Sequence, residues 1–68
     1  MILYDKINQR LNTLQAQMES NTHLSDPDTV QETIESISKF WSVLTEEDRD
    51  YVHCAQYALE EKHPWNIE

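Results

Sequence analysis

The sequence predicts an all-α fold, a three-helix up-down-up bundle that assembles as a helical homo-oligomer. Three observations carry this reading. Apolar residues recur at helical spacing in three separate segments. The segments are bounded by residues suited to cap helices. The 68 residues include no glycine, which leaves nothing for the tight hairpin turns and phosphate-cradling loops that depend on it.

The first helix is expected over about residues 3–21. Tyr4, Ile7, Leu11, Leu14 and Met18 follow one another at alternating steps of three and four, a narrow apolar seam with Leu3 at its edge. The remaining positions are rich in amides: Asn8, Gln9, Asn12, Gln15 and Gln17. The helix should fade near Asn21, a residue able to take the left-handed conformation usually given to glycine.

The second helix is expected over about residues 27–44. Ser25 or Asp26 caps it, and Pro27 sits in its first turn, where a missing N–H is harmless. At 100° per residue, Val30, Ile34, Ile37, Phe40, Trp41 and Leu44 fall within an arc of roughly 120°. That placement makes Trp41 a buried residue, in the bundle or at a subunit interface. Asp28, Glu32, Glu35 and Lys39 gather on the other side, with Glu35 and Lys39 spaced to pair.

The third helix is expected over about residues 46–62. Thr45 followed by Asp48 reads as a capping box, and Glu46 and Glu47 place negative charge at the positive end of the helix dipole. Val52, Ala55 and Leu59, flanked by Tyr51 and Ala58, form its buried face. Pro64 disfavours helix at His63, so residues 64–68 form a tail, with Trp65 either folding back over the end of the helices or serving as a second docking anchor. Residues 1–63 are thus expected to be a single domain.

A chain this small buries limited surface, which favours association into a homodimer or a larger assembly. The net charge is −8, unevenly spread: residues 1–24 are neutral, residues 25–44 carry −3 and residues 45–68 carry −5. Such acidity makes bare nucleic acid and anionic lipid poor direct partners and basic proteins better ones. It also serves simple solubility. The lone Cys54 excludes an internal disulfide and fits a reducing, cytoplasmic location. No run of residues is apolar enough for a signal-peptide core or a membrane span.

Catalytic chemistry finds little foothold. Glu60 and His63 have the Glu-x-x-His spacing of di-iron bundles, but Glu32 and Glu35 lie on a polar face and cannot complete an interior site. His53 neighbours Cys54 in sequence, so on a helix the two diverge by about 100° and form no nucleophile–base pair. Cys54 is expected just off the buried arc. No catalytic residue, metal ligand or cofactor site is assigned. The surface with most character is the outer side of the third helix, where Glu46, Asp50, His53, Tyr57, Glu60 and Glu61 align opposite Ala55. This acidic stripe reads either as a solvated face or as a docking face for a basic partner, with Tyr57 as aromatic anchor.

The stretches "YDKINQRL", "SDPDTV", "FWSVLTEEDRDYV" and "YALEEKHPWN" give the chain its individuality. Through them it resembles small acidic helical proteins encoded by tailed phages of marine cyanobacteria. That family has no assigned activity, so the resemblance transfers no functional residues. It implies an accessory, host-directed protein made inside an infected bacterial cell. The expected function is a non-enzymatic helical protein–protein interaction module. The alternative is an acidic nucleic-acid mimic that blocks the basic groove of a DNA- or RNA-binding protein.

Overall fold

The computed structural model describes residues 3–65. Every regular element among them is helical. Helix α1 spans Leu3–Glu19, the short α2 spans Thr22–Ser25, α3 spans Pro27–Ser38 and α4 spans Glu46–Glu61, with a 3₁₀ turn over Trp41–Val43 between α3 and α4.

The corners follow the chemistry of their residues. Asn21 takes the left-handed conformation expected of it, with φ 58°. It ends α1 and turns the chain directly into α2, a single helical turn too brief to leave a periodic signal. Asp26, rather than Ser25, caps α3: its carboxylate accepts from the Thr29 N–H at 3.4 Å and from the Thr29 hydroxyl at 2.7 Å. Pro27 opens that helix, as its fixed φ permits. Thr45 caps α4, accepting from the Asp48 N–H at 3.1 Å. Only this half of the expected capping box forms. The returning contact is usually made by glutamate or glutamine, and aspartate is one methylene shorter. Helix α4 ends with Lys62 in the left-handed region, φ 55°, and the His63 N–H closes back on the Ala58 carbonyl at 2.8 Å.

The second long helix is shorter than the periodicity suggests. It stops at Ser38 instead of running to Leu44. The Ser38 hydroxyl donates to the Ile34 carbonyl at 2.9 Å, a local bond that competes with helical order. The Phe40 N–H then tightens onto Ile37, and Phe40 itself leaves helical geometry at φ −109°, ψ 22°. The break swings Leu44 into the core while leaving Trp41 half-buried at its edge. Trp41 is therefore not the interior residue that a continuous helix would make it. Lys39 becomes the C-cap of α3, and no ion pair forms between it and Glu35.

The core is a single cluster: Ile7, Leu14 and Met18 from α1, Val30, Ile34 and Ile37 from α3, Leu44 from the connection, and Val52, Ala55 and Ala58 from α4. Leu11, Phe40, Tyr51, Leu59 and Trp65 pack half-buried around it. Helix α3 is the central element, in contact with α1, α2 and α4. Helix α1 has 17 residues and α3 only 12, lengths of about 26 and 18 Å at the helical rise. Helix α1 therefore outruns α3, and Tyr4, assigned to the seam by spacing, is 61 % exposed. Cys54 is exposed rather than half-buried.

Of the expected tail, residues 66–68 lie outside the described residues; Trp65 takes the first of its two readings and folds back. The Trp65 N–H donates to the Asn21 side-chain oxygen at 2.8 Å, and its ring meets Tyr51 edge-on with centroids 5.2 Å apart. His23, which the sequence places in a corner between helices, lies wholly inside at 1 % exposure. Its Nε2 is 2.6 Å from the carbonyl oxygen of His63. A carbonyl can only accept, so Nε2 carries the proton, and Nδ1 remains buried without a partner.

The Tyr51 hydroxyl is likewise buried without a partner. Burial pushes this phenol above its ordinary value, with the charge of Glu19 adding to the effect. The folded state thus favours the protonated phenol. Its contribution to stability is complete below about pH 10 and is lost as pH rises through the higher folded value. Tyr51→Phe should remove this alkaline loss. It should also raise stability at neutral pH by about 1 kcal/mol, by deleting an unsatisfied hydroxyl. Urea denaturation at neutral and alkaline pH tests both statements, and a marked loss of stability in Tyr51→Phe at neutral pH would mean that the hydroxyl has a partner.

Candidate functional site: the outer face of α4

The candidate face is built by helical repetition. From Glu46, steps of four, three, four and three residues lead through Asp50, His53 and Tyr57 to Glu60, and Glu61 follows. All six side chains are exposed. The opposite side of α4 is pinned by Val52, Ala55 and Ala58, so the register of the helix, and hence the direction of the stripe, is fixed by core packing. Tyr57 is 59 % exposed in the middle of the acids.

The structure adds a member that the sequence did not disclose. Trp41, left half-buried at the edge of the core by the break after α3, meets the His53 ring edge-on at 5.1 Å and 82°. Arg49 also holds it: its Nε donates to the Trp41 carbonyl at 3.1 Å, and its guanidinium carbon lies 5.9 Å from the ring centroid. One margin of the acidic face is therefore aromatic. The signal was hidden because a continuous helix assigns Trp41 to the core. Glu60 is held by the Gln56 amide at 3.1 Å, and Gln56 also exchanges hydrogen bonds with Gln31 of α3.

This chemistry suits recognition. Carboxylates one helical turn apart can receive lysine or arginine, and the exposed π face of Tyr57 attracts the same cations, whereas Trp41 already carries Arg49 over its ring. Glu60 and His63, tested above as a metal pair, are separated by the left-handed Lys62, and both are exposed. Among the described residues no group of three or more His, Cys, Asp or Glu side chains converges to hold a metal ion. No helix in the described residues is long and apolar enough to cross a membrane.

Two grooves flank the helices. The larger, about 510 Å³, lies between α1 and α3 and is polar, with Lys6 and Arg10 on one wall and threonine and serine hydroxyls on the other. The smaller, about 210 Å³, is bordered by Leu11 and Gln15 of α1 and by Glu47, Asp48 and Tyr51 of α4.

Fold and face together define a small all-α protein with an acidic, aromatic-edged helical surface. Compared with models of protein families, with curated proteins and with solved structures, the chain has no significant match.

Tyr57→Ala should leave the fold intact, changing stability by roughly 0.5 kcal/mol or less, because this side chain lies outside the core. A thermal melt checks this, and a large fall in Tm would mean that Tyr57 packs against something essential.

Proposed function

We propose that the chain is a non-enzymatic helical interaction protein whose α4 face docks a basic protein partner. The observation that carries this reading is the unbroken exposed run of Glu46, Asp50, His53, Tyr57, Glu60 and Glu61, with Tyr57 at its centre. An exposed tyrosine among carboxylates supplies what a hot spot needs: apolar area at low entropic cost, ringed by charges that steer a cationic partner. The three long helices act as an up-down-up bundle that presents this face, and self-association supplements their small core. The resemblance to phage proteins supports an accessory role in the cytoplasm of an infected bacterium, with a host or phage protein as the partner.

Affinity capture from such cells with the wild type and Tyr57→Ala, at low and high salt, tests the reading. A specific basic protein retained by the wild type and lost by the variant is the expected result. A partner that both forms retain equally would contradict it. A partner displaced by DNA and released steeply with salt would favour the nucleic-acid mimic instead.

A further inference from the structure

We propose that the groove between α1 and α3 receives the acidic α4 face of a second copy of this chain, so that molecules join head to tail. This rests on the reading of the α4 face as a docking surface and names one occupant for it. The sequence contains five lysine and arginine residues in all. Two of them, Lys6 and Arg10, line this groove, and neither forms an ion pair among the described residues. The rest of the lining is polar, with Gln9, Thr13, Thr29, Thr33 and Ser36, and carries one acid, Glu32, against the two cations. A cationic groove on an otherwise acidic chain fits a carboxylate-bearing surface.

The spacing matches as well. Lys6 and Arg10 are four residues apart on α1, as are Glu46 and Asp50 on α4. On a helix this puts each pair about 6 Å apart along its axis, so two charges can meet two charges in one register. Groove and face lie on different elements, which leaves both available in one molecule. The contact is heterologous and grows into chains unless geometry closes it. The net charge of −8 on every copy opposes the approach. At physiological salt that repulsion is screened beyond about 8 Å, whereas pairs in direct contact are screened far less.

Sedimentation velocity at moderate salt separates the outcomes. The wild type should show a mass that rises with concentration past the dimer. Lys6→Gln/Arg10→Gln, which lacks the groove charges, and Glu46→Gln/Asp50→Asn, which lacks the face charges, should each remain monomeric. Mixed, they should form a 1:1 dimer that grows no further, because one supplies only an intact face and the other only an intact groove. All four positions are exposed, and thermal melts of the variants verify that they fold. If Glu46→Gln weakens the start of α4, Asp50→Asn alone replaces the double variant. Variants that assemble like the wild type would overturn the proposal in favour of a symmetric apolar interface. A wild type that stays monomeric at high micromolar concentration would also overturn it. Loss of a foreign basic partner on substitution of Glu46 and Asp50, with no self-association, would sink this inference while leaving the docking reading intact. Loss of assembly in the wild type on adding millimolar inorganic phosphate would show that the groove is open to any anion, and growth of the 1:1 mixture into longer chains would count against the assigned surfaces.

Discussion

Leu14→Ala should lower the melting temperature by about 10 °C or more. Leu14 is fully buried in the cluster that joins α1, α3 and α4. Truncating such a side chain typically costs about 2–5 kcal/mol, because lost burial is compounded by the cavity left behind. At roughly 0.05–0.15 kcal/mol per residue, a 68-residue chain has only about 3–10 kcal/mol in total. One methyl cluster therefore represents a large share of the stability. Circular dichroism melts provide the comparison, and a Tm within a few degrees of the wild type would mean that the core lies elsewhere. Trp41→Ala should be the milder change of the two, since Trp41 is half-buried at the margin.

His23→Ala should be nearly as damaging, by about 2–4 kcal/mol, and in a more local way. It removes a fully buried ring and the bond to the His63 carbonyl that fastens the tail. Among the described residues, Trp65 is then held by the Asn21 contact and by its packing on Tyr51 and the core. In a Trp41→Phe background, Trp65 reports alone. Its fluorescence should shift to the red in the His23→Ala variant at temperatures where the helices still persist. Unchanged emission would show that Tyr51 and Asn21 hold the tail without His23.

His23 also marks where sequence reasoning stops. The long helices were legible because their apolar residues recur at helical spacing and their caps are chemically distinctive: Asp26, Thr45 and the left-handed Asn21 all take the expected places. The fold-back of Trp65 was one of the two readings its place in the tail allowed. What escaped was tertiary. A lone histidine in a polar corner gives no sign that α2 will turn it inward and that a backbone carbonyl 40 residues away will receive it. The break after Ser38 escaped because Phe40, Trp41 and Leu44 continue the apolar period, although the chain leaves the helix there. That break is also why the aromatic margin of the α4 face was invisible in the sequence. The acidic residues themselves were legible, since Val52 and Ala55 fix which side of α4 faces inward.

The central claim is that the outer face of α4 is a docking surface and not merely a solvated one. An NMR titration of the wild type and Tyr57→Ala with a short lysine- and arginine-rich helical peptide tests it most directly. The account predicts amide shifts concentrated at Glu46, Asp50, His53, Tyr57, Glu60 and Glu61. It also predicts binding about tenfold or more weaker in Tyr57→Ala, the loss expected of an aromatic anchor. Shifts spread evenly over Asp26, Asp28, Glu32 and Glu35 as well, with an affinity indifferent to Tyr57, would contradict it.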